Sequence, residues 1–311
     1  NNIKHPSDII NYKYPEEIPG LYLYDVILKK QRNKTVNIKD KNLKWYIFEY
    51  LSAIEMSKKL LLKFKPDIVA LSHRVSFQCA PMAYLASKNG IETYILSGNF
   101  GVPRFTRIKE PNDIFFGIPH PPKKDIELLE KNKVNAFKKI GSEYLEQRKL
   151  GRFSDLSSRL AFGKGRNKFD LTDSKYKQKK IISIYVGNWF DFPHVFGMKR
   201  FLDVFDWITT TIKFASQNKE VIWLIKPHPA EKWYGGTTLE DSLPDDLPEN
   251  IVILPNDYDG KAIMKVSDAL VTIHGTSGIE YASEGKPVLV ADVGWYHNCD
   301  FVLFPRSREH Y

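Results

Sequence analysis

Two short motifs in the second half of the sequence carry side chains that can bind an anion. Lys226-Pro227-His228-Pro229 follows the apolar run "VIWLI", and His274 opens the stretch "HGTSGIE" directly after the apolar run "DALVTI". Ammonium and imidazole groups donate hydrogen bonds to phosphate oxygens, and bonds that involve a charged partner are stronger than neutral ones. Because both runs have the composition of buried strands, the two motifs predict a pocket for a diphosphate or phosphodiester group at one sheet edge.

The turn at His274 adds small and hydroxylated residues to this pocket. Gly275 and Gly278 let a ligand approach the backbone closely, and Thr276 and Ser277 can cap the following helix or bond a phosphate oxygen. The N-terminus of that helix offers unpaired N–H groups and a partial positive charge. Taken alone, an ordinary capped turn or a rigid proline loop explains either motif, and it is their combination that favours the anion pocket.

Alternating strands and helices position both motifs. Apolar runs bounded by turn residues predict strands, and apolar residues at helical spacing predict helices. In chain order we predict strand "KKIISIYVGN", helix "FLDVFDWITTTIKFASQN", strand "EVIWLIKPHP", strand "NIVILP", helix "DGKAIMKVS", strand "DALVTIHG", helix "TSGIEYASEG" and strand "KPVLVAD". This order is typical of a doubly wound nucleotide-binding sheet, here without the glycine fingerprint of dinucleotide-binding domains.

The first half shows a similar alternation. We predict helices over 43–64, 78–89 and 125–149, and the strands "KPDIVALS" and "IETYILSG". Residues 151–180 are rich in Gly, Ser and Lys and predict a linker. The sequence therefore predicts an α/β fold with two Rossmann-like doubly wound domains, one with a helical, basic linker at 1–178 and a nucleotide-binding one at 179–311, facing each other across a cleft.

Bulk composition narrows the function classes. The 311 residues are 42% hydrophobic, enough to fill two cores, and no apolar run is long enough to span a bilayer. The net charge of +9 favours anionic partners, such as phosphorylated substrates or an anionic membrane surface, although general solubility also explains it. No nucleic-acid-binding motif accompanies that charge. Two distant cysteines indicate a reducing compartment, hence the cytoplasm.

The paired motifs carry a family resemblance. "KPHP" followed by "HGTSGIEYASEGKPVLVAD" resembles the bacterial capsule polysaccharide biosynthesis glycosyltransferases, a group that includes the Kdo transferases. A looser likeness extends to CDP-glycerol glycerophosphotransferases and polysialyltransferases. The resemblance covers about Lys180 to Phe301 well and the N-terminal half more loosely. It implies the GT-B architecture of two Rossmann-like domains, with the acceptor side at 1–178 and the nucleotide-sugar donor held by the C-terminal domain at 179–311.

The resemblance also implies roles for single residues. Lys226 and His228 would bind the donor phosphate and neutralise the departing nucleotide, and Glu280 would bond a ribose hydroxyl, although helix capping explains Glu280 equally well. The residues that would cradle the same phosphate are His274, Gly275, Thr276, Ser277 and Gly278. Because these groups can stabilise the leaving nucleotide unaided, we expect no metal and no cofactor beyond the nucleotide-sugar donor.

The expected reaction follows from the same resemblance. A sugar, preferably Kdo or a related acidic sugar on a CMP donor, would pass to a growing surface polysaccharide or a lipid-linked acceptor at the inner face of the cytoplasmic membrane. Peripheral contact with an anionic membrane is part of this expectation. The alternatives are a CDP-glycerol-type glycerophosphotransferase, a nucleotide-sugar epimerase and a non-catalytic glycan-binding module.

An inverting transfer needs a base that removes the acceptor's hydroxyl proton. One candidate is His73, beside Arg74 in the turn after "DIVALS", and two more are Asp191 and His194 in the loop "GNWFDFPHVFG". Aromatic residues of that loop could stack on a sugar or base, or form a plain hydrophobic loop around a buried histidine. The sequence does not choose among the three bases, and it leaves open whether the anomeric centre inverts.

Overall fold

A computed structural model describes residues 3–97, 104–111, 127–152 and 178–311. Within them the chain forms two compact units. The first contains the described residues up to 111 together with Trp189–Phe205, and the second contains 127–152, 178–188 and 206–311. Strands and helices alternate in both units, which confirms the predicted α/β class. That the two domains face each other across a cleft stays a prediction.

The first unit is built on a mixed sheet. Strand β1 (Ile68–Leu71) pairs in parallel with β2 (Glu92–Ser97), and β3 (Arg104–Ile108) pairs antiparallel to β2. The helices are α1 (Pro6–Asn11), α2 (Gly20–Gln31), α3 (Leu43–Phe64) and α4 (Ser76–Lys88). The parallel pair β1 and β2 is joined through α4, as the sequence predicted, while α2 and β3 were not predicted.

Helix α2 forms the centre of the first unit. Nearly all its residues from Gly20 to Leu28 are buried, so it lacks the polar face by which an amphipathic helix is recognised. Gly20 makes this packing possible, because a Cβ there would overlap the carbonyl oxygen of Ile9 on α1. Helix α3 buries Tyr50 and Ile54 and leaves its other side in solvent.

The second unit is built on a five-stranded parallel sheet of order β6-β5-β4-β7-β8. The strands are β4 (Lys180–Tyr185), β5 (Val221–Lys226), β6 (Ile251–Ile253), β7 (Ala269–Thr272) and β8 (Val288–Val290). The helices are α5 (Lys131–Lys149), α6 (Val204–Gln217), α7 (Glu231–Tyr234), α8 (Gly260–Val266) and α9 (Ser277–Ser283). Each strand predicted for this half is present, and the doubly wound order is confirmed.

The strand order reverses at β4, which has β5 on one side and β7 on the other. The chain runs outward from β4 through β5 to β6, then crosses back to β7 on the other side of β4 and continues to β8. In doubly wound sheets, ligands bind at the carboxyl ends of the strands where the order reverses in this way, here β4 and β7. On one face of the sheet, a cluster that includes Ile181, Leu224 and Leu254 packs beside a second cluster around Leu270 and Tyr281. This packing holds the strand ends, and the motifs that follow them, in fixed positions.

One segment packs in a different unit from the residues before and after it in the chain. Trp189–Phe205 follows β4 but packs in the first unit. The predicted domain boundary between residues 178 and 179 stays a prediction, and residues 153–177 of the predicted linker lie outside the described residues. Among the described residues, no helix has both the length and the apolar composition needed to cross a bilayer.

Candidate functional site

The register of the second sheet brings the two sequence motifs to one edge. Tyr185, the last residue of β4, is paired with Lys226 at the end of β5 and with Thr272 at the end of β7. His228 and His274 each follow this row by two residues, on strands separated only by β4. Adjacent strands lie about 4.8 Å apart, so the two histidine positions are about 10 Å apart across the sheet. The predicted gathering of Lys226, His228 and His274 at one edge is therefore present.

Lys226 and His228 are held by a residue that the sequence did not single out. Lys226 is 7% exposed, and its Nζ donates to the backbone oxygen of Asn256 at 3.2 Å. The Asn256 side-chain Nδ2 donates to the His228 carbonyl oxygen at 2.7 Å. The His228 Nδ1 accepts from the Ala230 backbone N–H at 3.2 Å, so in the neutral ring the hydrogen is on Nε2.

Asn256 also contributes an unsatisfied acceptor. Its Nδ2 must face the His228 carbonyl, which fixes the direction of the amide. The remaining oxygen, Oδ1, is buried, and no group among the described residues donates to it. Asn256 also lines a small hollow, together with Pro227, Glu231, Thr238, Glu240 and three residues from the end of β6 onward. A buried acceptor without a donor is rare in folded proteins and indicates a place for a ligand's O–H or N–H group.

His274 is the second unsatisfied group at this edge. Its Nδ1 is buried and has no hydrogen-bond partner among the described residues. Burial lowers the pKa of His274 to about 4, against the opposing effects of the Asp292 charge and a backbone hydrogen bond with Val293. At neutral pH the ring is therefore uncharged, and it can bind an anion only as an N–H dipole.

The glycines of this turn serve close packing. A Cβ at Gly278 would overlap the Tyr296 hydroxyl, which donates to the Gly275 carbonyl oxygen. In the same way, a Cβ at Gly294 would overlap the Cβ of His274. The close approach that we expected Gly278 to offer a phosphate is thus made by Tyr296, a buried core residue. Gly294 fixes the position of His274 and was not identified from the sequence.

The hydroxyls of Thr276 and Ser277 are placed at the start of α9, and neither caps it. Both residues are partly exposed, and their side chains make no hydrogen bond within the described parts of the chain. The predicted alternative of an ordinary capped turn therefore does not account for these two hydroxyls.

Glu280 has a protein partner that the sequence did not reveal. Arg148, near the end of α5, donates its Nε to Glu280 Oε1 at 2.6 Å and its Nη1 to the Tyr144 hydroxyl at 3.3 Å. The two side chains are 12% and 30% exposed, so solvent screens the pair only in part. The predicted bond from Glu280 to a ribose hydroxyl stays a prediction, and it would have to coexist with Arg148 or displace it.

The sequence contains one Asp-x-Asp triplet, which could bind a metal and so runs against the expected metal independence. Asp257-Tyr258-Asp259 has the pattern by which metal-dependent transferases bind a cation, and it follows the β6 strand. In the structure Tyr258 is 4% exposed, and Asp259 caps α8 by accepting from the Lys261 backbone N–H at 2.9 Å. Within the described residues no group of three or more His, Cys, Asp or Glu side chains is arranged to hold a metal ion. Metal independence stays a prediction.

The three predicted bases all belong to the first unit and have different surroundings. His194 is 2% exposed, its Nδ1 lies 2.6 Å from Asp25 Oδ1, and its ring meets Tyr24 edge-on. Asp25 Oδ2 also accepts from the backbone N–H groups of His194 and Val195. This burial corresponds to the alternative in which the loop holds a buried histidine.

Asp191 and His73 lie in more open surroundings and influence each other. The Asp191 carboxylate accepts from Lys29 Nζ at 2.9 Å, and its side chain is 45% exposed. Burial and the neighbouring Arg74 charge lower the pKa of His73, while Asp191 raises it. The aromatic side chains in the loop that carries Asp191 differ in exposure: Trp189 and Phe190 are buried, and Phe192 is partly exposed. Of these three aromatics, only Phe192 remains accessible for stacking on a sugar.

Comparison with known proteins finds likeness only among solved structures. The chain is similar to the Thermosulfurimonas dismutans KpsC β-Kdo 2,4 transferase, with 11% identity, 78% of this chain and 73% of that chain covered, and a TM-score of 0.49. The chain is also similar to the Thermosulfurimonas dismutans KpsC β-Kdo 2,7 transferase, with 13% identity, 87% of this chain and 82% of that chain covered, and a TM-score of 0.48. A third similar structure is the Methanocaldococcus jannaschii UDP-GlcNAc 2-epimerase in complex with UDP-GlcNAc and UDP. The identity is 16%, 84% of this chain and 71% of that chain are covered, and the TM-score is 0.35. No family model and no curated protein matches the sequence.

Kdo transferases and epimerases are thus among the structures that the chain resembles. At identities and TM-scores this low, a shared activity does not follow, because one fold supports many functions. The α/β assignment rests on the chain's own strands and register, and any function has to be argued from the site at the ends of β4, β5 and β7.

Proposed function

We propose that this protein is a nucleotide-sugar-dependent glycosyltransferase that moves a sugar onto a bacterial surface polysaccharide or a lipid-linked acceptor. The observation that carries the proposal is the gathering of Lys226, His228 and His274 at one edge of a doubly wound sheet, where the buried His274 Nδ1 has no partner among the residues that the structure describes. In glycosyl transfer, negative charge grows on the departing nucleotide phosphate. Donors fixed in advance at that phosphate stabilise the charge.

The surroundings of His228 suit a nucleotide, whose ribose and base carry hydrogen-bond donors beside the phosphate. The buried Asn256 Oδ1 has no donor among the described residues, and the ionised oxygens of a phosphodiester or diphosphate cannot supply one. A ribose hydroxyl or a base amino group can supply it. Our preferred donor is CMP-linked Kdo or a related acidic sugar, and this preference is supported by the motif resemblance alone.

For the base we propose Asp191 or His73. A neutral imidazole accepts a proton, and the lowered pKa of His73 keeps it neutral at physiological pH. Asp191 is half-exposed and within the electrostatic reach of His73. The buried His194 suits a different role, because its contact with Asp25 fixes the loop that carries Asp191.

Nucleotide binding tests the proposal directly. Calorimetry with CMP, UDP, GDP and CDP should give one clear preference, which His228→Ala and His274→Ala weaken. His310→Ala, which changes an exposed histidine of the same unit, serves as the matched control. Turnover should fall about 100-fold or more in each site variant, as expected for lost leaving-group stabilisation. The proposal fails if no nucleotide binds, or if both site variants keep wild-type turnover.

Adding EDTA to the same assays tests metal independence. We expect nucleotide affinity and turnover to persist, because the proposed stabilising groups all belong to the protein. A loss that Mg²⁺ or Mn²⁺ restores would point instead to the Asp257-Tyr258-Asp259 triplet, and Asp257→Asn would then abolish the metal response.

Three alternatives predict different products. A CDP-glycerol-type glycerophosphotransferase would add a glycerol phosphate mass to the acceptor, which mass spectrometry separates from a sugar. An epimerase would convert UDP-GlcNAc without any acceptor. A glycan-binding module would bind acidic glycans without nucleotide and would keep that binding in His228→Ala.

We also propose that α3 mediates peripheral contact with an anionic membrane. The helix exposes Trp45 and Phe48, each at 57%, whose rings pack 5.4 Å apart, and exposed lysines such as Lys44 and Lys59 lie on the same helix. Interfacial helices combine such aromatic and cationic residues. Co-sedimentation with phosphatidylglycerol vesicles should fall in the Trp45→Ala/Phe48→Ala double variant. It should not fall in Phe105→Ala, which removes an equally exposed ring from β3. Equal binding by both variants would exclude this surface.

A further inference from the structure

Arg74 presents an unusual charge in the first unit. It lies in the turn between β1 and α4 and is partly buried. Among the described residues, no acceptor lies within hydrogen-bond or ion-pair distance of its guanidinium. Burial lowers the pKa of Arg74 to about 10, so the group stays charged at neutral pH. A guanidinium has five N–H donors, and those of the partly buried Arg74 are open to a ligand that supplies acceptors.

The acidic groups nearby are engaged elsewhere. Asp191 accepts from Lys29, and Asp25 is surrounded by the His194 ring and two backbone N–H groups. Tyr22 acts on Arg74 electrostatically, but burial raises the pKa of its hydroxyl well above 10, so it carries no charge at neutral pH. The positive charge of Arg74 is therefore not compensated by these neighbours.

Two residues in the loops that carry Arg74 and Asp191 have strained backbone conformations. Ser76 has a φ of 75° two residues after Arg74, and Phe192 has a φ of 55° directly after Asp191. Both are non-glycine residues in the left-handed region, a conformation that costs free energy and concentrates at functional sites. The two loops so constrained carry Arg74 and His73 on one side and Asp191 on the other. A cation with no acceptor among the described residues thus lies in the same turn as a neutral imidazole, and the Asp191 carboxylate of the other strained loop acts on that imidazole.

We propose that Arg74, together with His73, forms an oxyanion-binding site on the first unit that takes a carboxylate or phosphate group of the sugar acceptor. The forked guanidinium pairs with either group through two parallel hydrogen bonds. The His73 ring can then face the hydroxyl next to the bound anion. That the ligand is an acceptor rests on the proposed glycosyl transfer, whereas the anion site itself rests on Arg74.

Calorimetry with small sugars tests the site and identifies the anion. The probes are glucuronate for a carboxylate, glucose 6-phosphate for a phosphate and glucose as the neutral control. We expect one anionic sugar to bind the wild type and glucose not to bind. Arg74→Gln should weaken that binding at least about 10-fold, as expected for a lost charge-assisted pair, and Arg74→Lys should restore part of it. Arg107→Gln is the matched control, because Arg107 is exposed on β3 and paired with Glu92.

A second readout follows His73 in the wild type and needs no variant. A bound anion favours the charged imidazole, so NMR titration should show the His73 pKa rising when the anionic sugar is added and not when glucose is added. An unchanged His73 pKa together with undiminished binding in Arg74→Gln would overturn the site.

CMP binding, measured in the same samples, separates this inference from the proposed function. Arg74→Gln should leave nucleotide affinity unchanged, because the proposed nucleotide site belongs to the second unit. Anionic sugar binding through Arg74 without any nucleotide binding would retain the anion site and reject the transferase. Nucleotide binding without anionic sugar binding would reject the anion site alone.

Discussion

The His194 Nδ1 and the Asp25 Oδ1 lie 2.6 Å apart, 169 positions apart in the chain, and both residues are at most 2% exposed. Asp25 also accepts from the backbone N–H groups of His194 and Val195, at 3.1 and 3.2 Å. One carboxylate thus satisfies three buried donors and attaches the Trp189–Phe205 segment to α2. The pair is a structural contact that also positions the neighbouring Asp191.

Removing this carboxylate should destabilise the protein strongly. Asp25→Ala leaves three buried donors without an acceptor, and we expect it to lower the free energy of unfolding by about 3–5 kcal/mol. Asp191→Ala, which breaks a half-exposed pair in the same segment, should cost no more than about 1 kcal/mol. Urea unfolding of both variants measures the difference, and equal losses would contradict a structural role for Asp25.

The buried ring of His274 should make stability depend on pH. Its pKa is about 4 in the folded protein and 6.5 ordinarily, so between these values the unfolded chain binds a proton that the folded chain does not. The free energy of unfolding should therefore fall as pH drops from about 6.5 to 4. The loss has an upper bound of about 3 kcal/mol, and part of the residue is exposed, so we expect less.

Urea unfolding at several pH values checks this, with His274→Gln and His310→Ala compared with the wild type. His274→Gln should flatten the pH dependence and His310→Ala should not. His73 has a lowered pKa as well, so some dependence of the same sign should remain. An unchanged slope in His274→Gln would show that the ring is solvated.

Close packing at Gly278 gives a third prediction. Gly278→Ala should displace Tyr296 and break its bond to Gly275, at a cost of about 1–3 kcal/mol for an overpacked site. Gly141→Ala is the matched control: this glycine is also helical, and a Cβ there would meet nothing within 4 Å. That change should be neutral or stabilising by up to about 1 kcal/mol. Thermal unfolding with and without nucleotide reports both stability and binding, and equal effects of the two changes would argue against Tyr296 packing.

The ion pair between Arg148 and Glu280 gives a fourth prediction. In a double-mutant cycle with Arg148→Gln and Glu280→Gln we expect a coupling of about 1–2 kcal/mol, because the short bond is partly buried. The exposed pair Lys133–Glu130, at 3.6 Å, should give less than about 0.5 kcal/mol. A coupling no larger than this control would show that the pair is solvent-separated. If Glu280 also binds ribose, Glu280→Gln should weaken nucleotide binding more than Arg148→Gln does.

Much of the second unit could be predicted because its strands are parallel and buried. Such strands are short apolar runs with turn residues at both ends, and "DALVTIHG" is an example. The placement of His228 and His274 at one edge then follows from topology, since parallel strands share their carboxyl ends. Helix α2 was not predicted because burial on nearly all sides removes the polar periodicity. Strand β3 was not predicted because it has two arginines among five residues and little apolar pattern.

The contacts that tune the site could not be predicted. Asp25 and His194, or Arg148 and Glu280, are brought together only by the fold, and nothing in their local sequence marks them as partners. The residues next to Asn256 and Gly294 in the sequence do not mark them as special. Asn256 bonds the His228 carbonyl and Gly294 packs against the His274 side chain, and both contacts arise only in the fold. Arg74 was noted beside His73, but nothing in the local sequence indicates that its guanidinium has no acceptor among the described residues.

The return of the chain to the first unit at Trp189–Phe205 sets an order for folding during synthesis. The ribosome releases residues from the N-terminus, so Asp25 emerges long before its partners His194 and Val195. The first unit can complete its core only after β4 of the second unit has been made. A fragment that stops at residue 178 would bury a carboxylate with none of its three donors, and the nascent chain has to keep α2 available to its later partner until that partner leaves the exit tunnel.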